Sequence, residues 1–191
     1  GEDDRDPVGQ EPDLLLGALS LTACSTVRQV HDPATLPPDG KAVRTRTDDA
    51  LDYGVATFIA AKPETVWAVL TDAPAFTRWN STLTRFEGQV ALGKKVELVS
   101  KVAPDRTFSL TVSAFDAPKA MTWEDGNGMF LGVRHFTLTE KDGGTVLAMS
   151  ETYSGFFLGS TQKKMPDFTA NFETFASDLK REAERRAQAG G

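Results

Sequence analysis

The stretch Phe130 to Ser154, FLGVRHFTLTEKDGGTVLAMSETYS, decides how the chain folds. Apolar and polar residues alternate on both sides of Asp142-Gly143, a dipeptide that favours the two-residue turn of a β-hairpin. A turn centred there sets Leu138 opposite Leu147, Phe136 opposite Met149, Arg134 opposite Glu151 and Gly132 opposite Tyr153. Strand side chains alternate between faces, so these residues share one face, while His135, Thr137, Thr139, Ala148, Ser150 and Thr152 share the other. The apolar set is the inner one. It carries two charges, Arg134 and Glu151, and burying either alone is costly. They therefore pair with each other, as a structural ion pair, or serve as a polar anchor that orients a ligand's carboxylate, carbonyl or hydroxyl.

Beyond the hairpin, Gly155 and Gly159 flank an apolar loop, Phe156 to Leu158. From about Pro166 to Ala187 the pattern predicts a long amphipathic helix: Phe168, Phe172, Phe175 and Leu179 recur at helical spacing, and Lys180, Arg181, Glu182, Glu184, Arg185 and Arg186 mark a solvated end. Before the hairpin, strands are predicted over Leu83 to Val90, Lys95 to Val102, Arg106 to Phe115 and Ala120 to Glu124. Breaks carrying Gly93, Pro104, Pro118, Gly126 and Gly128 separate them. Earlier still, Tyr53 to Ala60 reads as a strand, and Pro63 opens a helix whose apolar face is Val66, Trp67, Val69 and Leu70. That helix ends at Asp72 to Pro74, and a short helical turn runs through Phe76 to Asn80.

The order is strand, helix, helical turn, six strands, long helix, with connections short enough to pair consecutive strands antiparallel. The fold class is α+β: a curved antiparallel sheet of about seven strands wrapped around a C-terminal helix, with two short helices after the first strand. One helix cannot fill so long a concave face, and the space left over is where a small apolar ligand fits. Its candidate wall is Phe108, Leu110 and Trp123 from the middle strands, Arg134, Phe136, Met149, Glu151 and Tyr153 from the hairpin, and Phe172 from the helix. Trp79 is expected to cap it, with Phe156 and Phe168 at its mouth. Each apolar member is either core packing or ligand wall, and in this architecture the two merge. The loops around Gly126 to Gly128 and Gly155 to Gly159 are expected side by side at the entrance.

Composition narrows the function. The 191 residues are 40% hydrophobic and 25% charged, which suits one globular domain with an N-terminal extension. A net charge of -6 leaves no basic surplus for nucleic acid and disfavours electrostatic docking on an anionic membrane. One cysteine and two histidines form no metal-binding motif, and nothing in the spacing calls for a cofactor. No Ser-His-Asp set or nucleophile elbow is visible, and His135 falls on the outer face. Glu151 and Tyr153 are the residues able to act as acid or base on a bound molecule.

Residues 1–52 read as an acidic, proline-interrupted extension or tether, and 53–188 as the ligand-binding domain. Leu21-Thr22-Ala23-Cys24 has the form of a bacterial lipobox behind an apolar run from Leu14, although the acidic lead with only Arg5 departs from a signal peptide. Acylation of Cys24 would anchor the protein in the cell envelope; otherwise the segment is a short apolar helix and the expected location is the cytoplasm. A membrane is expected as a partner only through that anchor.

The ordered pieces Ile59 to Asp72 (IAAKPETVWAVLTD), Arg78-Trp79-Asn80, Gly93, Pro118, Trp123, Gly144-Thr145, Glu151 to Gly155, Phe172 and Leu179-Lys180 are similar to the START-like or SRPBCC superfamily, the helix-grip fold. The branch they resemble most is the bacterial polyketide cyclase/dehydrase-like group, over about Tyr53 to Arg186. The resemblance implies binding or transport of an apolar or amphipathic small molecule, lipid- or polyketide-like. Two alternatives accompany it: a polyketide cyclase or dehydratase, and an envelope lipoprotein that serves as an interaction module.

Overall fold

The computed structural model describes residues 30–190; the lipobox-like segment and Cys24 lie outside them. Eight strands form a single antiparallel sheet in the order β1-β2-β8-β7-β6-β5-β4-β3. They are β1 (Val43–Arg46), β2 (Ala50–Ile59), β3 (Leu83–Gly88), β4 (Lys95–Ser100), β5 (Thr107–Asp116), β6 (Ala120–Asn127), β7 (Phe130–Lys141) and β8 (Gly144–Ser154). From β3 to β8 the chain meanders through neighbouring strands; β2 instead crosses to pair with the far side of β8. That crossing is carried by α1 (Pro63–Thr71) and α2 (Phe76–Trp79), the two short helices expected after the first long strand. Irregularities at Leu83/Arg85 in β3 and Val112/Ala114 in β5 bend the sheet, as an extra residue in one strand does.

The hairpin register is the expected one: Arg134 faces Glu151, Phe136 faces Met149 and Leu138 faces Leu147. Asp142 and Gly143 both have positive φ, 51° and 75°, the requirement of a type I′ turn. Between α3 (Leu158–Thr161) and the long α4 (Thr169–Ala189) lies a short 3-10 turn, Gln162–Lys164. α4 lies across the concave face and buries Phe172, Phe175, Ala176, Leu179 and Ala183.

Two findings depart from the sequence reading. The sheet starts earlier than Tyr53: β1 and the first residues of β2 come from the stretch read as tether. Upstream of them, Asp32 caps a 3-10 turn, Pro33–Thr35, and Leu36 packs on Ala56 and Ala148 across the convex face. This strap buries Ala148, Ser150 and Thr152, the outer face of the hairpin. The second departure is the charged end of α4. Lys180 Nζ donates to the Phe58 carbonyl at 2.7 Å, and Glu184 accepts from the Ala60 amide at 2.9 Å. Asp178, one turn earlier, is buried and accepts from the Ser81 amide at 2.7 Å and its hydroxyl at 2.6 Å. These groups rivet the helix to the ends of β2 and α2, where the sequence pattern indicates only solvent.

Candidate functional site

At one end of α4 the concave face is not filled. A cleft of about 50 Å³ remains, room for a few waters and well below the about 300 Å³ at which ligand sites usually begin. Every strand from β3 to β8 supplies a wall: Thr82 and Leu83, Leu98 and Ser100, Phe108 and Leu110, Asp125, Arg134, then Glu151 and Tyr153. Phe168 and Asn171, at the start of α4, close it. A larger groove of about 540 Å³ lies on the convex face between the strap and β7–β8, but it is open to solvent and holds none of the inward-facing charges.

The charged pair is where the hairpin register puts it. Arg134 Nε donates to Glu151 Oε2 at 2.9 Å, and Nη2 reaches the same oxygen. Both side chains are largely withdrawn from water, at 17% and 9% exposure. The guanidinium lies over the Phe172 ring at 5.1 Å and near Phe175 at 5.8 Å, so its charge is held by one carboxylate and two aromatic faces. Asp125 enters from β6, 3.8 Å from Arg106. Burial pushes its carboxyl above the usual range, against the pull of Arg106, and the Glu151 charge adds to the rise. Burial, reinforced by Glu151, also drives the Tyr153 hydroxyl well above its ordinary value, so it is a phenol throughout the physiological range. The site therefore presents one arginine paired with a carboxylate, hydroxyls and a carboxyl with a raised pKa.

An aromatic stack leads into it. Phe130 stacks on Tyr153 at 5.9 Å, Tyr153 on Phe168 at 6.2 Å, and Phe168 meets Tyr53 edge-on at 5.8 Å. Gly132 makes the stack possible. A Cβ there would lie 3.2 Å from Tyr153 Cε1, so a side chain at this position presses on the ring.

Of the residues expected in the site, the cleft brings together Phe108, Leu110, Arg134, Glu151, Tyr153 and Phe168. Trp79 is instead packed between Phe76 and Phe175, at 4.6 and 5.6 Å, and does not cap the cleft. Trp123, Phe136, Met149 and Phe172 lie in the continuous core, and Phe156 projects into solvent. The two glycine loops do meet: the Phe157 amide donates to the Met129 carbonyl at 2.8 Å. Sequence reading missed Thr82, Ser100, Asp125 and Asn171, polar residues with no apolar neighbour pattern to mark them as inward. Asp125 had a usable signal, since it lies two residues beyond Trp123 on the same face of β6.

On the convex face Asp52, fully buried, accepts from Thr152 Oγ1 at 2.6 Å and from His31 Nδ1, and His31 Nε2 contacts Thr45 Oγ1 at 2.9 Å. This line places a histidine between an acid and a hydroxyl, an arrangement not visible in the sequence. Its partners tie the strap to β1, β2 and β8, and it is remote from the cleft. Among the described residues no group of three or more His, Cys, Asp or Glu is placed to hold a metal ion. Nor is any helix there long and apolar enough to cross a membrane.

No protein of curated function matches the chain. Among solved structures, one domain's worth of the di-domain ARO/CYC protein StfQ of the steffimycin biosynthetic pathway superposes with a TM-score of 0.59 at 15% identity, covering 74% of this chain and 53% of that one. Protein SA2116 of Staphylococcus aureus gives 0.58 at 13% identity, covering 73% and 97%. Protein MLL2253 of Mesorhizobium loti gives 0.57 at 21%, covering 70% and 97%. At such identities these likenesses establish the fold, which is the helix grip. A family model described as polyketide cyclase / dehydrase and lipid transport matches residues 53–184, the span that builds the cleft, most of α4 and all of the sheet except β1 and the first residues of β2. The chain belongs to the polyketide cyclase/dehydrase and lipid transport family, in the SRPBCC superfamily.

Proposed function

We propose that this protein binds an apolar or amphipathic small molecule between α4 and the concave sheet, with its polar group at Arg134, Glu151 and Asp125. The observation that carries the reading is the position of the Arg134–Glu151 pair. It is a costly polar feature in an apolar interior, and it borders a space that the core leaves unfilled. The cleft is too small for such a ligand as it stands, so binding requires Tyr153 and Phe168 to separate. They are stacked rings with flat faces, and an aromatic or acyl group can replace one face with its own. Arg134, the arginine that lines the cleft, already has a carboxylate partner, which favours a neutral polar group such as a hydroxyl or ketone over a free carboxylate.

The test is native mass spectrometry of protein purified from its own host, with wild type beside the Arg134→Met, Glu151→Leu double variant. The wild type should retain a small molecule that the folded double variant lacks. Retention by neither, or equally by both, removes the anchor from the reading.

A cyclase or dehydratase is the second reading, and Asp125 is the observation in its favour. A carboxyl with a raised pKa, facing the cleft beside the Tyr153 phenol, is equipped to give a proton to a bound polyketone. Turnover of an aromatic polyketone that disappears in Asp125→Asn would establish it.

A further inference from the structure

The Asp52–His31 line on the convex face has the order of parts that activates a hydroxyl. Asp52 Oδ1 meets His31 Nδ1, and the opposite ring nitrogen, Nε2, lies 2.9 Å from Thr45 Oγ1. The second oxygen of Asp52 accepts from Thr152 Oγ1 at 2.6 Å, so the carboxylate is held at both ends. Asp52 is fully buried, the His31 side chain is 17% exposed and Thr45 is half-buried. The fold fixes each part. Thr45 pairs with Asp52 across β1 and β2, and Asp52 with Thr152 across β2 and β8, so all three side chains stand on one face of the sheet. His31 reaches them from the strap, which Leu36 pins to Ala56 and Ala148. Gly54 leaves room for it: a Cβ there would lie 3.1 Å from Leu36 Cδ1 and 3.4 Å from His31 Nδ1. β1 is the edge of the sheet. The Thr47 amide donates to the Ala50 carbonyl at 2.9 Å, and an antiparallel ladder alternates, so the Arg46 amide points away from β2. A backbone donor therefore faces outward in the residue that follows Thr45.

We infer that Thr45, His31 and Asp52 form a second site, an acyl-transfer centre for small carboxylic esters with Thr45 as its nucleophile. With the Nδ1 proton held by Asp52, His31 Nε2 presents a lone pair to the Thr45 hydroxyl. The Thr45 oxygen adds to the ester carbonyl carbon as its proton passes to Nε2. The oxyanion that forms takes the Arg46 amide as a donor. Collapse breaks the bond from carbon to the alcohol oxygen. The alcohol leaves with the proton from Nε2, and the acyl group stays on Thr45. Water follows the same route: His31 takes its proton, hydroxide adds to the acyl carbon, and the proton returns to the Thr45 oxygen as the free acid departs. Ester and water are the only reactants, and the bonds balance. Asp52 touches neither of them and is a positioning residue. Burial raises its carboxyl above the ordinary value, against the bonds from Thr152 and His31, which makes it a strong acceptor for an imidazolium. A nucleophile on an edge strand suits a short acyl chain, which needs no deep pocket. The sequence shows no such set because residues 31, 45 and 52 meet only when the strap crosses the sheet.

The experiment follows hydrolysis of p-nitrophenyl acetate by the full chain, with peptide mapping by mass spectrometry after an acid quench. Wild type should release p-nitrophenol faster than buffer and carry an acetyl group on Thr45. Thr45→Val should lose the adduct and about a hundredfold of the rate, and Thr45→Ser should restore both. His31→Gln should fall as far as Thr45→Val, since nucleophile and base act as a unit. Asp52→Asn turns a donor toward Nδ1 and imposes the wrong tautomer, so it should lower kcat and leave KM unchanged. Thermal unfolding checks that each variant is folded. Thr45 is at the rim of the line, so its two variants decide the matter even where the His31 or Asp52 variants unfold. Hydrolysis that survives Thr45→Val, acetyl found on lysine or histidine and not on Thr45, or no release above buffer overturns the proposal. The assay needs no molecule in the cleft, so its outcome is separate from that of the retention test.

Discussion

His135 shows how one residue's setting differs from its sequence neighbours'. It faces away from the cleft, its Nδ1 is 3.0 Å from Thr122 Oγ1, and its Nε2 is buried without a partner. Burial lowers its pKa below 6.5. The sign follows: unfolded chains take up a proton near 6.5, the folded chain resists it, and stability held above that value is lost as pH falls toward the folded pKa. Denaturant unfolding should show wild type losing stability between about pH 7.5 and about pH 5.5. His135→Gln, which keeps a partner for Thr122, should show a smaller loss over the same interval. An identical loss in both proteins would assign the effect to other groups.

At the scale of elements, α4 and the strap hold opposite faces of one sheet. Phe172 is 1% exposed and stacks on Tyr53 at 5.5 Å. Phe172→Ala should cost about 3–5 kcal/mol in urea unfolding, because the ring leaves a void that the helix cannot close. A loss under about 1 kcal/mol would mean the helix does not depend on that face. The strap is held differently, by Leu36 and by the His31–Asp52–Thr152 line. His31→Ala removes a donor from a buried carboxylate and should cost about 1–3 kcal/mol. It should also speed hydrogen exchange at the Gly40 amide, which bonds to the Ala56 carbonyl at 2.8 Å. Unchanged exchange there would show that Leu36 alone holds the strap.

For the whole molecule, the balance between core and cleft is the deciding quantity. The aromatic core runs from α1 to α4 almost without interruption and leaves about 50 Å³. Phe168 is the side chain whose removal would enlarge that space most directly, since it lies against Tyr53 and Tyr153 at the closing end. Phe168→Ala should lower the melting temperature, and a small apolar compound such as benzene or indole should restore part of the loss in the variant and not in wild type. Failure of both compounds to stabilise the variant would mean that the helix start collapses into the space instead of leaving it open.

The hairpin and the long helix were legible in the sequence because their information is local. Asp142-Gly143 sets the turn, alternation sets the faces, and the spacing of Phe168, Phe172, Phe175 and Leu179 sets the helix. From these the Arg134–Glu151 pairing follows by register alone. The strap, the early edge strand and the rivets at Asp178, Lys180 and Glu184 were not legible, since the helix contacts join residues 97 to 124 positions apart and leave no periodic mark. The same holds for which aromatic residues wall the cleft. Trp79, Trp123 and Phe168 are alike as apolar, inward-facing positions. Whether a ring ends in packed core or at a gap depends on how much volume its neighbours fill, a quantity fixed only when helix and sheet close on each other.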